Sequence, residues 1–169
     1  MGQAAAKRFA EAGAHTFVLG RNPGPLQETA ALSDKITPVI CDVADPTSVT
    51  AALATILGHA PPDVLIHTAG INTPDRFLSH RDPQKIASEE TWESVLNTNV
   101  LGVVNMIRAV SAPMAKNGGG KIVVVSSSVV VVVVSGSVVV VDVVVDDSSV
   151  GTTAATVGSV VVVVLVVVE

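Results

Sequence analysis

The sequence is poor in residue types that carry many kinds of functional site. Its 169 residues include no tyrosine, one tryptophan and a single cysteine, Cys41. One cysteine cannot form an intramolecular disulfide framework, so a reducing compartment, the cytoplasm, is the expected location. The formal net charge of −5 gives no basic surface for nucleic acid or anionic lipid, and neither is expected as a partner.

Long apolar spans are also missing. The first residues lack the apolar core of a secretory signal, because charged residues interrupt them. The valine runs at 129–134 and 160–164 are much shorter than the roughly 20 apolar residues that cross a bilayer. The sequence therefore predicts no membrane segment.

Basic residues are absent from the C-terminal part of the chain. All ten Lys and Arg residues lie at or before Lys121, and neither aromatic residues nor proline follow it. Natural domains interleave charged and apolar residues more evenly. Residues 1–128 are therefore predicted to form one domain, and residues 129–169 a low-complexity region rich in Val, Ser, Asp and Gly.

Three explanations of residues 129–169 stay open. The region is a placeholder for a different natural sequence, or the frameshifted end of a truncated product, or a set of genuine valine-rich strands of the same domain. In the third case one strand could fill a vacant central slot of the sheet, although uncharged valine runs are prone to aggregate.

Strands and helices alternate along residues 1–128. Apolar runs predict strands at 15–19, 36–41, 64–68 and 121–126, with amphipathic helices between them. Continuously apolar strands are typical of a parallel sheet that is buried on both faces. The sequence therefore predicts an α/β fold, a three-layer α/β/α sandwich on a doubly wound parallel sheet. The chain opens on a helix, so this sheet is expected to be incomplete.

An ordered set of motifs points to one family. A helix that follows Gly2 is succeeded by "VLGRN", "CDV", "HTAG", "NTNVLG" and "GGGKIVVVSS". Each motif alone is weak, but in this order residues 1–128 resemble the short-chain dehydrogenase/reductase family. The resemblance implies a Rossmann-like fold and hydride transfer between NADP(H) and a small carbonyl compound or secondary alcohol. It also implies a fragment without the family's first strand, and it allows homo-oligomers.

The resemblance assigns the first cofactor-binding residues near the N-terminus. Gly2 matches the last glycine of the family's turn TGxxxGxG, where close packing brings the helix amides to the pyrophosphate. Arg21 and Asn22 lie in "VLGRN", where the planar fork of arginine suits a 2′-phosphate, so NADP is favoured over NAD. The alternative is a terminal glycine and a loop arginine that contact no ligand.

Two further motifs supply the remaining cofactor residues. Asp42 and Val43 match an aspartate and a hydrophobe beside the adenine, although Asp42 alternatively only ends a strand. Thr68, Ala69 and Gly70 in "HTAG" match the family's NNAG, where small residues let the backbone approach the cofactor.

The catalytic residues are matched only in part. Asn99 matches the asparagine that holds a water in the family's proton relay. Ser127 matches the serine that bonds the substrate carbonyl, with the register open by one residue to Ser126 or Ser128 and a serine-rich strand end as the alternative.

The family's next motif, YxxxK, is missing. Counting from Ser127 puts its tyrosine at Val140 and its lysine at Val144, and valine can neither transfer a proton nor carry charge. Whether the chain is an enzyme stays open. The first hypothesis is an oxidoreductase that is inactive in this form, and the alternative is a non-catalytic α/β fragment with a structural or interaction role. No metal site is predicted, because no second ligand is spaced to join His67.

Overall fold

The chain folds into alternating helices and strands. The computed structural model describes residues 1–72 and 88–125, together with the backbone of residues 138–142 and 161–165. Its helices are α1 (Gly2–Glu11), α2 (Pro23–Ala30), α3 (Pro46–Leu57), α4 (Glu89–Leu96) and α5 (Gly102–Lys116), with a π-helical turn (Asn97–Leu101) joining the last two. Its strands are β1 (His15–Gly20), β2 (Ile36–Ile40), β3 (Val64–His67), β4 (Gly120–Val124), β5 (Val138–Asp142) and β6 (Val161–Leu165).

The described strands form one parallel sheet. Their order across it is β2-β1-β6-β3-β4-β5, and every neighbouring pair is parallel. Phe17 and Leu19 of β1 pack with buried residues of α3 and α5, whereas Val18 packs with residues of α1 and α2. Helices therefore cover both faces of the sheet, which confirms the predicted three-layer α/β/α fold.

The strand β6 occupies the centre of the sheet. Val163 is paired with Phe17 of β1 on one side and with Leu65 of β3 on the other. This is the central slot that a valine-rich strand was expected to fill if residues 129–169 belong to the same domain. The strand β5, from the same region, pairs with β4.

Local signals set the ends of the helices. Gly13 adopts a φ of 99° just beyond Ala12, the C-cap residue of α1, a conformation that glycine reaches without strain. The Asp45 carboxylate caps α3 by accepting from the Thr47 N–H, and the Ser88 hydroxyl caps α4 by accepting from the Thr91 N–H. The four strands expected from residues 1–128 are all present, and their ends differ from the predicted ones by at most two residues.

Helix α5 packs one face on the sheet. Its buried residues are Gly102, Met106, Val110 and Met114, a repeat of four that lies along one side of a helix. Among the described residues, the continuous helical run Glu89–Lys116 is long and apolar enough to cross a membrane by length and composition. Only one side of α5 is buried against the sheet, and 22% of the apolar window in this run is buried.

A proline in β6 should be far more damaging than one in β5. We expect Val163→Pro to reduce stability by about 1–3 kcal/mol, because proline removes a ladder hydrogen bond and leaves its partner unsatisfied in a strand that has a neighbour on each side. Val140→Pro is the matched control in β5, which pairs only with β4 among the described strands. Urea denaturation measures both variants, and equal losses would contradict the central placement of β6.

Candidate functional site

The carboxyl ends of three strands border one open cleft. This cleft is lined by Leu19 and Gly20 at the end of β1, Arg21 directly after it, residues 41–43 after β2, Ala69 after β3 and Thr98 of the π-helical turn. Open parallel sheets bind their ligands at this edge. Arg21, Asp42, Val43 and Ala69, which were predicted from three separate motifs, therefore meet in one place.

The exposed side chain of Arg21 lies at the rim of this cleft. It follows directly on β1, and Asn22 is the N-cap residue of α2, with Pro23 in the first turn of that helix. Gly2 is the buried first residue of α1 but is not among the residues that line the cleft. The structure therefore brings Arg21, and not Gly2, into the cleft.

The segment after β2 forms a tight turn. The Asp42 carboxylate accepts from the Ala44 N–H at 2.9 Å, and the Asp42 N–H donates to the Ser48 hydroxyl at 2.9 Å. The Val43 side chain is buried. Burial raises the pKa of the Cys41 thiol to about 11, so this neighbour stays protonated and adds no negative charge to the cleft.

The segment after β3 is buried at first and then emerges. Ala69 is buried, Thr68 is half-buried and Gly70 is exposed. A Cβ built on Gly70 would lie 3.5 Å from the Asn99 Oδ1, which is an ordinary van der Waals distance. Packing among the described residues does not require glycine at this position.

Asn99 holds the backbone just beyond this segment. Its Oδ1 accepts from the Ile71 N–H at 2.8 Å, and its Nδ2 donates to the Ile71 carbonyl at 2.9 Å. A side-chain amide can satisfy both groups of one residue because it carries a donor and an acceptor. Asn99 lies within the π-helical turn, a local widening that is frequent at functional sites.

Two of the predicted catalytic positions lie outside the described residues. These are Ser127, with its neighbours Ser126 and Ser128, and Val144. The backbone of Val140, the position that matches the family's tyrosine, lies in β5.

Comparison with known proteins gives the family. The family model for short chain dehydrogenases matches residues 1–139. The chain belongs to this family. It is 35% identical over 123 residues to a 3-oxoacyl-[acyl-carrier-protein] reductase of Chlamydia trachomatis serovar D, a match that covers 69% of this chain and 46% of that protein. The chain thus spans about half the length of the curated relatives it matches.

Solved structures of the family have the same fold. A serine dehydrogenase from Escherichia coli matches with a TM-score of 0.63 and 28% identity, over 73% of this chain and 56% of that one. The closed form of a serine dehydrogenase complexed with NADP+ matches with a TM-score of 0.60 and 29% identity, over 75% of this chain and 50% of that one.

Sequence reasoning singled out Asn99 on the helical side of the site but missed two further residues there. Thr98 lines the cleft, and Asn105 of α5 bonds the Val43 carbonyl, but neither residue was singled out. Asparagine and glycine are poor helix formers, so Asn97, Asn99 and Gly102 were the available signal that this helix is irregular. Among the described residues, no group of three or more His, Cys, Asp or Glu side chains is arranged to hold a metal ion.

His67 should make the fold sensitive to acid. Its ring is buried and makes no hydrogen bond of ordinary geometry with a described residue. Burial lowers the pKa of His67 from 6.5 to about 4, while the Ala69 backbone exerts a smaller, opposite effect. Between these two pH values the unfolded state binds more protons than the folded state, so stability falls as the pH falls.

The variant His67→Asn isolates this effect. We expect the free energy of unfolding to drop between pH 7 and pH 4.5 by about 2–3 kcal/mol more in the unsubstituted protein than in the variant, since one pKa unit corresponds to about 1.4 kcal/mol. Urea titrations at both pH values measure the difference. Contributions from all other groups are common to both proteins and cancel, so an identical pH dependence would contradict the assignment.

Proposed function

We propose that this chain carries the adenosine-binding half of an NADP(H)-dependent oxidoreductase whose substrate is a small carbonyl compound or alcohol. The observation that carries the proposal is the meeting of Arg21, Asp42 and Val43 in one cleft at the carboxyl edge of the sheet. We propose NADP ahead of NAD, and a cytoplasmic location. Support comes from the arginine that follows β1 and from a family structure complexed with NADP+.

The groups in the cleft fit an adenosine phosphate. The guanidinium of Arg21 offers paired donors for a 2′-phosphate. One Asp42 oxygen accepts from the Ala44 N–H, and a carboxylate has further lone pairs that can accept from the adenine amine. Val43 and Ala69 add apolar surface to the cleft, and Thr68 and Gly70 flank Ala69, where small residues would let the backbone approach the cofactor.

When bound, the cofactor supplies the hydride, and the protein must orient it and handle the proton. In the proposal Asn99 fixes the loop at Ile71 and takes part in the proton relay, and Ser127 bonds the substrate carbonyl. Gly2 would face the pyrophosphate from the start of α1.

The proton donor of the family is absent from this sequence. A positioned acid or base contributes about 10²- to 10⁴-fold to a rate, and Val140 and Val144 supply neither. We therefore propose that the chain of this sequence does not turn over. The placement of Val140 in β5 favours the second candidate, a non-catalytic α/β protein that retains only nucleotide binding or an interaction role.

Fragments of the cofactor test the nucleotide site. We expect adenosine 2′,5′-bisphosphate to bind at least about 10-fold more tightly than 5′-AMP, because charge-assisted hydrogen bonds to Arg21 are worth about 1.5–3 kcal/mol. Arg21→Asp should abolish this preference. Arg108→Asp, at an exposed position of α5 outside the cleft, is the matched control and should retain it. Isothermal titration calorimetry gives the dissociation constants.

The same preparations should not oxidise NADPH with ketones, aldehydes or quinones. Their mass must first be matched to the sequence, so that the residues after Lys121 are known to be those printed. Equal affinity of the unsubstituted protein for the two fragments would refute the 2′-phosphate assignment. Turnover that Ser127→Ala abolishes would refute the proposed lack of activity.

We also propose that two copies of the chain associate through one helical surface. Leu96, Val100, Leu101 and Val104 are each between 42% and 52% exposed, and they form a stripe along the run from α4 to α5. Exposed apolar surface of this kind marks contact sites, and a symmetric pair would cover the same stripe on both copies.

A charge within the stripe should dissociate the assembly. We expect Val100→Glu to lower the mass of the particle in sedimentation equilibrium, because a carboxylate buried in an apolar contact loses its hydration. Leu32→Glu is the control, since Leu32 is 46% exposed but lies outside the stripe. A monomeric unsubstituted protein, or equal effects of both variants, would contradict the proposal.

A further inference from the structure

Helix α5 contacts the turn after β2 at two points. The Asn105 Nδ2 donates to the Val43 carbonyl at 2.9 Å, across 62 residues of sequence. A Cβ built on Gly102 would lie only 2.6 Å from the Val43 Cγ2. Gly102 and Asn105 are three residues apart and so lie on neighbouring turns of one side of the helix. The helix therefore holds both the backbone and the side chain of Val43.

The other hydrogen bonds of this turn stay within it or run to α3 and β1. The Asp42 carboxylate accepts from the Ala44 N–H, and the Asp42 carbonyl accepts from the Asp45 N–H at 3.2 Å. These two bonds define the shape of the turn, while the bonds from the Asp42 N–H to the Ser48 hydroxyl of α3 and from the Cys41 N–H to the Gly20 carbonyl of β1 tie it to two neighbouring elements. The bond from Asn105 ties it in addition to the helical run that also holds the backbone of Ile71.

The same helical run holds the opposite side of the cleft. Asn99 bonds both backbone groups of Ile71, just beyond β3, while Asn105 bonds the turn after β2. Thr98 lines the cleft between these two contacts. One rigid element thus sets the separation of two cleft walls that follow different strands.

We propose that Asn105 is a positioning residue for the adenine wall of the cleft. It holds the Val43 carbonyl and thereby sets the place of the Asp42 carboxylate and of the Val43 side chain relative to a bound adenosine. The proposal rests on the nucleotide site proposed above. Asn105 does not line the cleft, so its effect on binding passes through Val43.

Two substitutions of Asn105 test its hydrogen bond to the Val43 carbonyl in different ways. Asn105→Ala removes the donor, and Asn105→Asp also places a carboxylate oxygen against the carbonyl oxygen of Val43. We expect the dissociation constant of adenosine 2′,5′-bisphosphate to rise about 3- to 10-fold for Ala and more for Asp, on the scale of one lost hydrogen bond. Arg108→Ala, at an exposed position of the same helix, should leave it unchanged.

Amide hydrogen exchange provides a second readout that needs no ligand. Asn105→Asp should speed exchange at Ala44 and Asp45 while leaving Ile71 unchanged. Asn99→Ala should do the reverse, because it removes the acceptor of the Ile71 N–H. A merely destabilised protein would instead show faster exchange throughout the sheet.

The outcomes distinguish this proposal from the one on which it rests. Unchanged exchange at Ala44 and Asp45 in Asn105→Asp would overturn the positioning role, whatever the protein binds. Faster exchange with unchanged affinity would overturn the link from the turn to the nucleotide. An unsubstituted protein that does not bind the bisphosphate would refute the nucleotide site and its adenine wall, while the exchange data would still decide whether Asn105 fixes the turn.

Discussion

The parallel pairing of β6 with β1 on one side and β3 on the other joins the two halves of the sheet. One half consists of β2 and β1, and the other of β3, β4 and β5. The cleft spans this division, because Arg21 and Asp42 follow strands of the first half while Ala69 follows a strand of the second. The distance between the cleft walls therefore depends on β6 as well as on the helices above the sheet.

Elements with local signals could be predicted from the sequence. The strand at β1 follows from an apolar run, and Asp45 and Ser88 cap their helices through bonds within three residues. Arg21, Asp42 and Ala69 could be predicted because each lies within two residues of the end of a strand, and parallel strands end at one edge. Contacts such as the bond from Asn105 to Val43 join residues 62 positions apart, and no local pattern indicates them.

The position of β6 within the sheet cannot be predicted from local sequence patterns. Valine runs favour strands wherever they occur, so the runs at Val138–Asp142 and Val161–Leu165 do not reveal which slot of the sheet each will take. The position is decided by which edges of β1 and β3 are left unpaired. Unpaired strand edges inside a buried sheet raise the free energy of the fold. A strand that pairs with both edges is therefore favoured in the central slot.

The long helical run has three roles on different parts of its surface: one part packs on the sheet, one is exposed and one contacts the region of the cleft. Met106, Val110 and Met114 bury one side against the sheet, and Val100 and Val104 are exposed on another. A regular α-helix repeats its faces every 3.6 residues, so residues placed for packing cannot also be placed freely for the cleft. The π-helical turn inserts extra backbone at Asn97–Leu101. This insertion rotates α4, which precedes the turn, relative to α5. The helix can therefore direct Asn99 to the loop at Ile71 without disturbing the register of the buried side.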